Sequence, residues 1–292
     1  MENRYRLAND FFARETEDEK ERALKVFFLS VEGNRTEVEY FTELSKHRIN
    51  LGINAKIDVE VLSRREKDTN SSLSAVTDLL DEFIELRKIG KDEKGLEKEM
   101  SYVLGNQFPA TAIKKYLHNS EGLAETQREK ISVALQTANY DIIYRRYLSN
   151  RSSENDEFGI VIDRDRQAHK KEGLIACLQH CKEHNYQCYI TNPCFEFWLL
   201  LHLADVSADY RDQLGVILKN RRNSHQHTYV SKEVSLLAGH GKGNINFEVN
   251  YLPNVDLAIE RAKSFESDAY QIIDKLGTNL WQLIERLRNF EI

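Results

Sequence analysis

Two aspartates, Asp163 and Asp165, stand at the end of the apolar run FGIVID (158–163), and a glutamate, Glu32, stands at the end of another, LKVFFLSV (24–31). Alternate residues of an extended segment point the same way, so Asp163 and Asp165 can share one hard cation through oxygen ligands, as a Mg²⁺ site acting on phosphate requires. Taken alone the pair is weak, because aspartates after a strand also form turns and cap helices. Glu32 alone reads equally well as a solvated turn residue. Together they say more. In an open α/β sheet, groups at the carboxyl ends of adjacent parallel strands converge on one crevice, so Glu32 can meet the aspartates despite the long stretch of chain between them. Three carboxylates in one pocket raise each other's proton affinity, a cost that a divalent cation removes.

Further carboxylates and cations surround this constellation in sequence. Glu196 lies early in CFEFWLLLHL (194–203), an almost wholly apolar helix in which an unpartnered carboxylate would be expensive. It therefore reads as a metal contact or a buried partner, against the plainer option of an acid favoured by the helix dipole. Glu37 offers the same choice, with the ordinary acid in the first turn of its helix as the favoured reading. Lys170 and Lys171 follow the aspartates closely enough to touch a substrate phosphate. Residues 211–250 hold six basic and three acidic residues, and Arg221, Arg222, Lys232 and Lys242 there, interleaved with His225, His227 and Tyr229, suit phosphate contacts and base stacking. A solvated loop is the competing reading, since charge runs are common on surfaces. The net charge of −6 excludes a uniformly basic nucleic-acid coat, so any such site is a patch.

Other chemistries lack their signatures. The sequence contains no Walker A loop, G-x-S-x-G elbow or dinucleotide fingerprint. Cys177, Cys181, Cys188 and Cys194 lack the paired C-x-x-C knuckle of structural zinc sites, and they fit reduced intracellular thiols better than a disulfide framework.

The elements that must position these residues are those of an α/β protein of 292 residues, long enough for one large domain or two modest ones. A strand at 24–31 leads through Glu32-Gly33, with Gly33 allowing a tight turn, into a helix at 36–51 for which Thr36 is the candidate cap. KIDVEVL (56–62) alternates as a half-buried or edge strand does. Residues 63–155 change texture to helical spacing rich in Leu, Ile, Glu, Lys and Tyr. FGIVID is continuous enough to be a central parallel strand covered on both faces. It is followed by a helix, a strand at QCYIT (187–191), and the apolar helix, with Pro193 suited to its first turn. Thr278 after Gly277 caps the last helix. No apolar run approaches the ~20 residues that cross a bilayer, and the mixed-charge start lacks the pattern of a signal peptide, so no membrane and a cytoplasmic location are expected.

Glu32-Gly33 after a first strand, the distant Asp163-Arg164-Asp165, the segment Asn192-Pro193-Cys194-Phe195-Glu196-Phe197-Trp198, and the closing AIERAK (258–263) and GTNLWQLIERL (277–287) together resemble the RloB-like proteins of the Toprim superfamily. The resemblance implies a Toprim-like parallel sheet flanked by helices. Residues 1–62 would form the first part of the core, 63–155 a large helical insertion, 156–204 the second part with the D-x-D motif, and 205–292 a mainly helical C-terminal region. It also implies a nuclease: Asp163 and Asp165 as ligands of Mg²⁺, or of Mn²⁺ in its place, Glu32 as ligand or general acid/base, and Glu196 as a further ligand. DNA or RNA is the implied substrate, tRNA among them, in bacterial anti-phage defence or abortive infection beside a partner ATPase. The insertion is the natural surface for that partner or for a homodimer. Two rivals remain open at this point: a haloacid-dehalogenase-like phosphatase with Asp163 as nucleophile, which usually has Thr or Val where this chain has Arg166, and a non-catalytic binding module with a structural metal.

Overall fold

The structure is a computed structural model. It describes residues 25–289 except 34, 63–71, 90–92, 106, 139, 141–155, 167, 223–226 and 240–244, so Lys242 and His225 lie outside the described residues. The elements in chain order are β1 (Lys25–Val31), α1 (Thr36–Lys46), β2 (Ile57–Val61), α2 (Leu73–Ile89), α3 (Glu93–Val103), α4 (Ala110–His118), α5 (Glu125–Thr137), β3 (Glu157–Asp163), α6 (Lys171–His184), β4 (Gln187–Asn192), α7 (Phe195–Leu203), α8 (Tyr229–Ala238), α9 (Val255–Ala262), β5 (Gly277–Thr278) and α10 (Leu280–Arg288), with single helical turns between several of them.

One five-stranded sheet runs in the order β2-β1-β3-β4-β5. The first four strands are parallel and β5 is antiparallel to β4. This is the expected α/β architecture, with β2 on the edge as its alternating pattern predicts. Chain order reverses between β1 and β3, which makes their carboxyl ends the switch point of the sheet.

Period-two alternation splits the strands between two cores. Phe27, Leu29, Val31, Val161 and Tyr189 face a layer built from α1, α7, α8, α9 and α10. Phe28, Ile160, Ile162 and Ile190 face α2 and α6. Burial on both faces explains why β3 reads as an unbroken apolar run. The segment expected as one helical insertion therefore divides in two: α2 lies on the sheet, whereas α3, α4 and α5 gather Met100, Leu104, Ile113, Leu117, Ile131 and Leu135 into a core of their own. The physical reason is α2's stripe of Val76, Leu80 and Phe83, which seals the face of β1 and β3.

Three local expectations are corrected. Thr36 is the first helical residue of α1, which Arg35 precedes without a side-chain cap, and the helix ends at Lys46. Cys194 holds the N-cap position of α7, so Pro193 lies before that helix and not in its first turn. Gly277 and Thr278 form β5, and Asn279 precedes α10. The Thr278 hydroxyl still accepts from Leu280 N at 3.2 Å, but it also meets the Thr191 hydroxyl at 2.9 Å and so ties β5 to β4. Gly277 is required there by close approach, since a Cβ would sit 2.0 Å from the Glu266 carbonyl oxygen.

Helix α7 is buried from Phe195 to His202. His202 Nδ1 lies 2.9 Å from the Trp198 carbonyl oxygen, which can only accept, so Nε2 carries the lone pair that receives the Tyr40 hydroxyl at 3.1 Å. Burial holds the imidazole neutral and pushes its pKa down to about 3. A histidine depressed on folding contributes fully above its unfolded value near 6.5, and that contribution is lost as pH falls toward the folded value. We expect the wild-type acid limb between pH 6 and 4 to be steeper than that of His202→Gln by roughly 1.4 kcal/mol per pH unit, measured by urea unfolding. Equal slopes would contradict the assignment.

Candidate carboxylate site

The carboxyl ends of β1 and β3 are adjacent, because Val31 pairs with Val161 and Glu32 N donates to the Val161 carbonyl at 3.0 Å. This register brings Glu32 to Asp163: Glu32 Oε2 accepts from the Asp163 backbone N at 2.9 Å. The other oxygen, Oε1, lies 2.8 Å from His169 Nε2, in a pair whose side chains are only 13% and 9% exposed. The N-terminus of α7 closes the site from β4, and Phe195 N donates to the Asp163 carboxylate.

Asp163 holds its proton well above the usual carboxylate range. Burial is the largest cause, followed by the charges of Glu32, Glu37 and Glu196, and the Phe195 hydrogen bond opposes them. Glu196 is thus beside Asp163 and is itself buried. Glu37 lies in the first helical turn, as read from the sequence, and its charge also reaches Asp163. It is buried in the first turn of α1, and its carboxylate lies against the α-carbon of Gly33, where a Cβ would stand 1.9 Å from Oε2 and 2.2 Å from Oε1. Gly33 has no positive φ. Its missing side chain leaves the space that the Glu37 carboxylate fills.

Asp165 lies on the side of His169, the residue that also meets Glu32. Its backbone carbonyl accepts from Ala168 N at 3.0 Å and His169 N at 2.9 Å, forming the turn after β3, and its charge acts on His169 and Arg164. It is not among the charges named above as crowding Asp163. Arg164 is buried and pins the turn, with Nε donating to the Ile273 carbonyl at 2.7 Å and an Nη to the His169 carbonyl at 2.9 Å. His169 was missed in the sequence because a single histidine in RDRQAHKKEG carries no periodic signal. Its pKa is raised, first by the hydrogen bond to Glu32, against the opposing effect of burial. The ion pair's contribution is therefore complete below about pH 6.5 and is lost as pH rises through the raised value.

The basic candidates fall in two places. Lys170 is exposed at the start of α6, and Lys171 is exposed but paired with Asp274. Arg221, Arg222 and Lys232 are exposed. Asn220, in left-handed backbone, ties their segment toward the site: its Nδ2 donates to Cys194 Sγ at 3.2 Å and its Oδ1 accepts from Val230 N at 3.0 Å. Arg221 and Arg222 thus directly follow the residue that touches the N-cap of α7.

The charges around Asp163 are those of carboxylates, and its raised proton affinity marks an excess of negative charge that a hard divalent cation would offset, although no three of these side chains bring ligand atoms within 4.8 Å of one another in this structure. Glu32 already gives one oxygen to a backbone N–H and the other to His169. A shared ion would take its remaining lone pairs or displace the imidazole. Among the described residues no helix is long and apolar enough to cross a membrane.

A parallel α/β sheet with a buried carboxylate cluster at its switch point defines the class of protein to which fold and site belong. The family model for RloB-like protein matches residues 27–287, and the chain belongs to that family. No curated protein and no solved structure gave a significant match.

Proposed function

We propose that the chain is a Mg²⁺-dependent phosphodiesterase of the Toprim type that cleaves DNA or RNA, tRNA being one substrate, in bacterial anti-phage defence, under the control of a partner ATPase. The observation that supports this reading above others is the meeting of Glu32 with Asp163 at the switch point, with Glu37 and Glu196 beside them. When bound, Mg²⁺ or Mn²⁺ supplies charge that polarises a phosphate and favours the departing oxygen. Asp163, Asp165 and Glu196 would hold the ion, and Glu32 would share in that role or take a proton from the attacking water. His169 fixes the orientation of Glu32 through Oε1 and can return a proton as the leaving oxygen departs. Arg164 holds the turn that carries His169 and so acts as a positioning residue. Lys170, Arg221, Arg222 and Lys232 are the candidate phosphate contacts.

The test uses the purified full chain with plasmid, single-stranded DNA and total tRNA, in Mg²⁺, Mn²⁺ or EDTA, beside Glu32→Gln. Cleavage of one nucleic acid that needs the divalent ion and falls at least about 10²-fold in Glu32→Gln is the expected result. If protection against phage and toxicity survive in Glu32→Gln cells, the chain is a binding module and the enzymatic reading fails.

A further inference from the structure

On the opposite face of the sheet, Asp81 of α2 and His180 and His184 of α6 present one ligand atom each, all within 4.8 Å of one another. We propose that these three residues form a second metal site, taking a borderline transition ion such as Zn²⁺, that clamps α2 to α6. It is separate from the carboxylate cluster, which lies where α1 and α7 begin.

The helices run side by side in the same direction. Leu73 at the start of α2 lies 3.6 Å from where a Cβ on Gly173 would stand, and about two turns further on Asp81 meets His180. Residues four apart share a helix face, and the imidazoles of His180 and His184 stack with centroids 4.1 Å apart and planes at 22°.

The remaining hydrogen bonds prepare the imidazole lone pairs. His184 Nδ1 lies 2.9 Å from the His180 carbonyl oxygen, and a carbonyl only accepts, so the proton sits on Nδ1 and Nε2 is the free donor of electrons. Metal-ligating histidines are held in this way, with the other ring N–H on a backbone carbonyl. His180 Nε2 is 2.9 Å from Asp81 Oδ2, yet this buried nitrogen makes no hydrogen bond because the approach is off its direction. Tyr186 donates to Asp81 Oδ1 at 2.7 Å, which fixes the carboxylate and leaves Oδ2 toward the histidines. His184 is exposed and the other two are partly so, which gives an ion a path in and leaves a fourth position to water. Two imidazoles and one carboxylate suit Zn²⁺, Co²⁺ or Ni²⁺ far better than Mg²⁺.

Cobalt tests the site without reference to cleavage. The full chain, reduced and in excess Mg²⁺, is titrated with Co²⁺ and followed by visible absorption, with Asp81→Asn and His184→Ala in parallel. The expected result is about one equivalent bound with visible d–d bands and no thiolate charge transfer, and affinity at least about tenfold weaker in each variant. Metal-free melting of the variants near that of the wild type shows that they fold. Absence of binding, binding unchanged by both substitutions, or a thiolate charge-transfer band that moves the ion to Cys177, Cys181 and Cys188 would each overturn the proposal.

Discussion

Asp163→Asn is expected to abolish cleavage while making the metal-free protein more stable. The asparagine keeps an oxygen for the Phe195 N–H and removes the charge that Glu32, Glu37 and Glu196 oppose. Relieving a crowded charge of this kind is worth about 1–3 kcal/mol, a rise of roughly 2–5 °C in Tm for a chain of this size. The sign of the pH dependence is fixed by the raised pKa. A group whose proton is held more tightly in the folded state contributes fully below its unfolded value, near 3.9, and that contribution is lost as pH rises through the folded value. In EDTA the stability gap between Asp163→Asn and the wild type should therefore widen in favour of the variant as pH climbs above about 4. Mg²⁺ should raise the wild-type Tm and leave the variant unmoved. A variant that melts below the wild type in EDTA at pH 7 would show that the cluster is not strained.

The second large effect is a rescue. Gly33→Ala places a methyl group where the Glu37 carboxylate lies, and that buried group must leave its position beside Asp163. The cost should be about 1–3 kcal/mol, as for overpacking elsewhere in protein interiors. Glu37→Ala alone empties the space and lowers the crowding, so its own cost should be small. In the double variant the new methyl occupies the vacated volume, and stability should return to within about 0.5 kcal/mol of Glu37→Ala. The two changes are thus strongly non-additive, which a double-mutant cycle by urea unfolding reads directly. Additive costs would mean that the carboxylate and the glycine do not share that space in solution.

How far the sequence discloses this arrangement depends on which signal a residue carries. The strands are legible because each is an apolar run of strand length, and the burial of both faces of β3 is written in its lack of polar interruptions. The placement of Glu32 and Asp163 follows from chain order once the strands are parallel. Glu196 is legible because a carboxylate is conspicuous in an apolar helix. Glu37 is hidden by its position, since the first turn of a helix is where acids sit for ordinary reasons. Its partner Gly33 then passes for a turn glycine. His169 and Arg164 are hidden in a polar segment, where neither periodicity nor spacing distinguishes a residue that bonds Glu32 or Ile273 from one that faces water. The division of the helical segment is illegible for another reason: α2 and α3 both carry helical spacing, and only tertiary contacts decide which one covers the sheet.

Arg164 couples distant parts of the chain. Its guanidinium joins the carbonyl of Ile273, near the end of the sequence, to the carbonyl of His169, whose ring touches Glu32. Any displacement of the segment around 268–274 is thereby felt at the first strand through a single rigid fork, without deforming the sheet. A molecule bound against residues 268–274 would sit one guanidinium away from the residue that holds the Glu32 carboxylate.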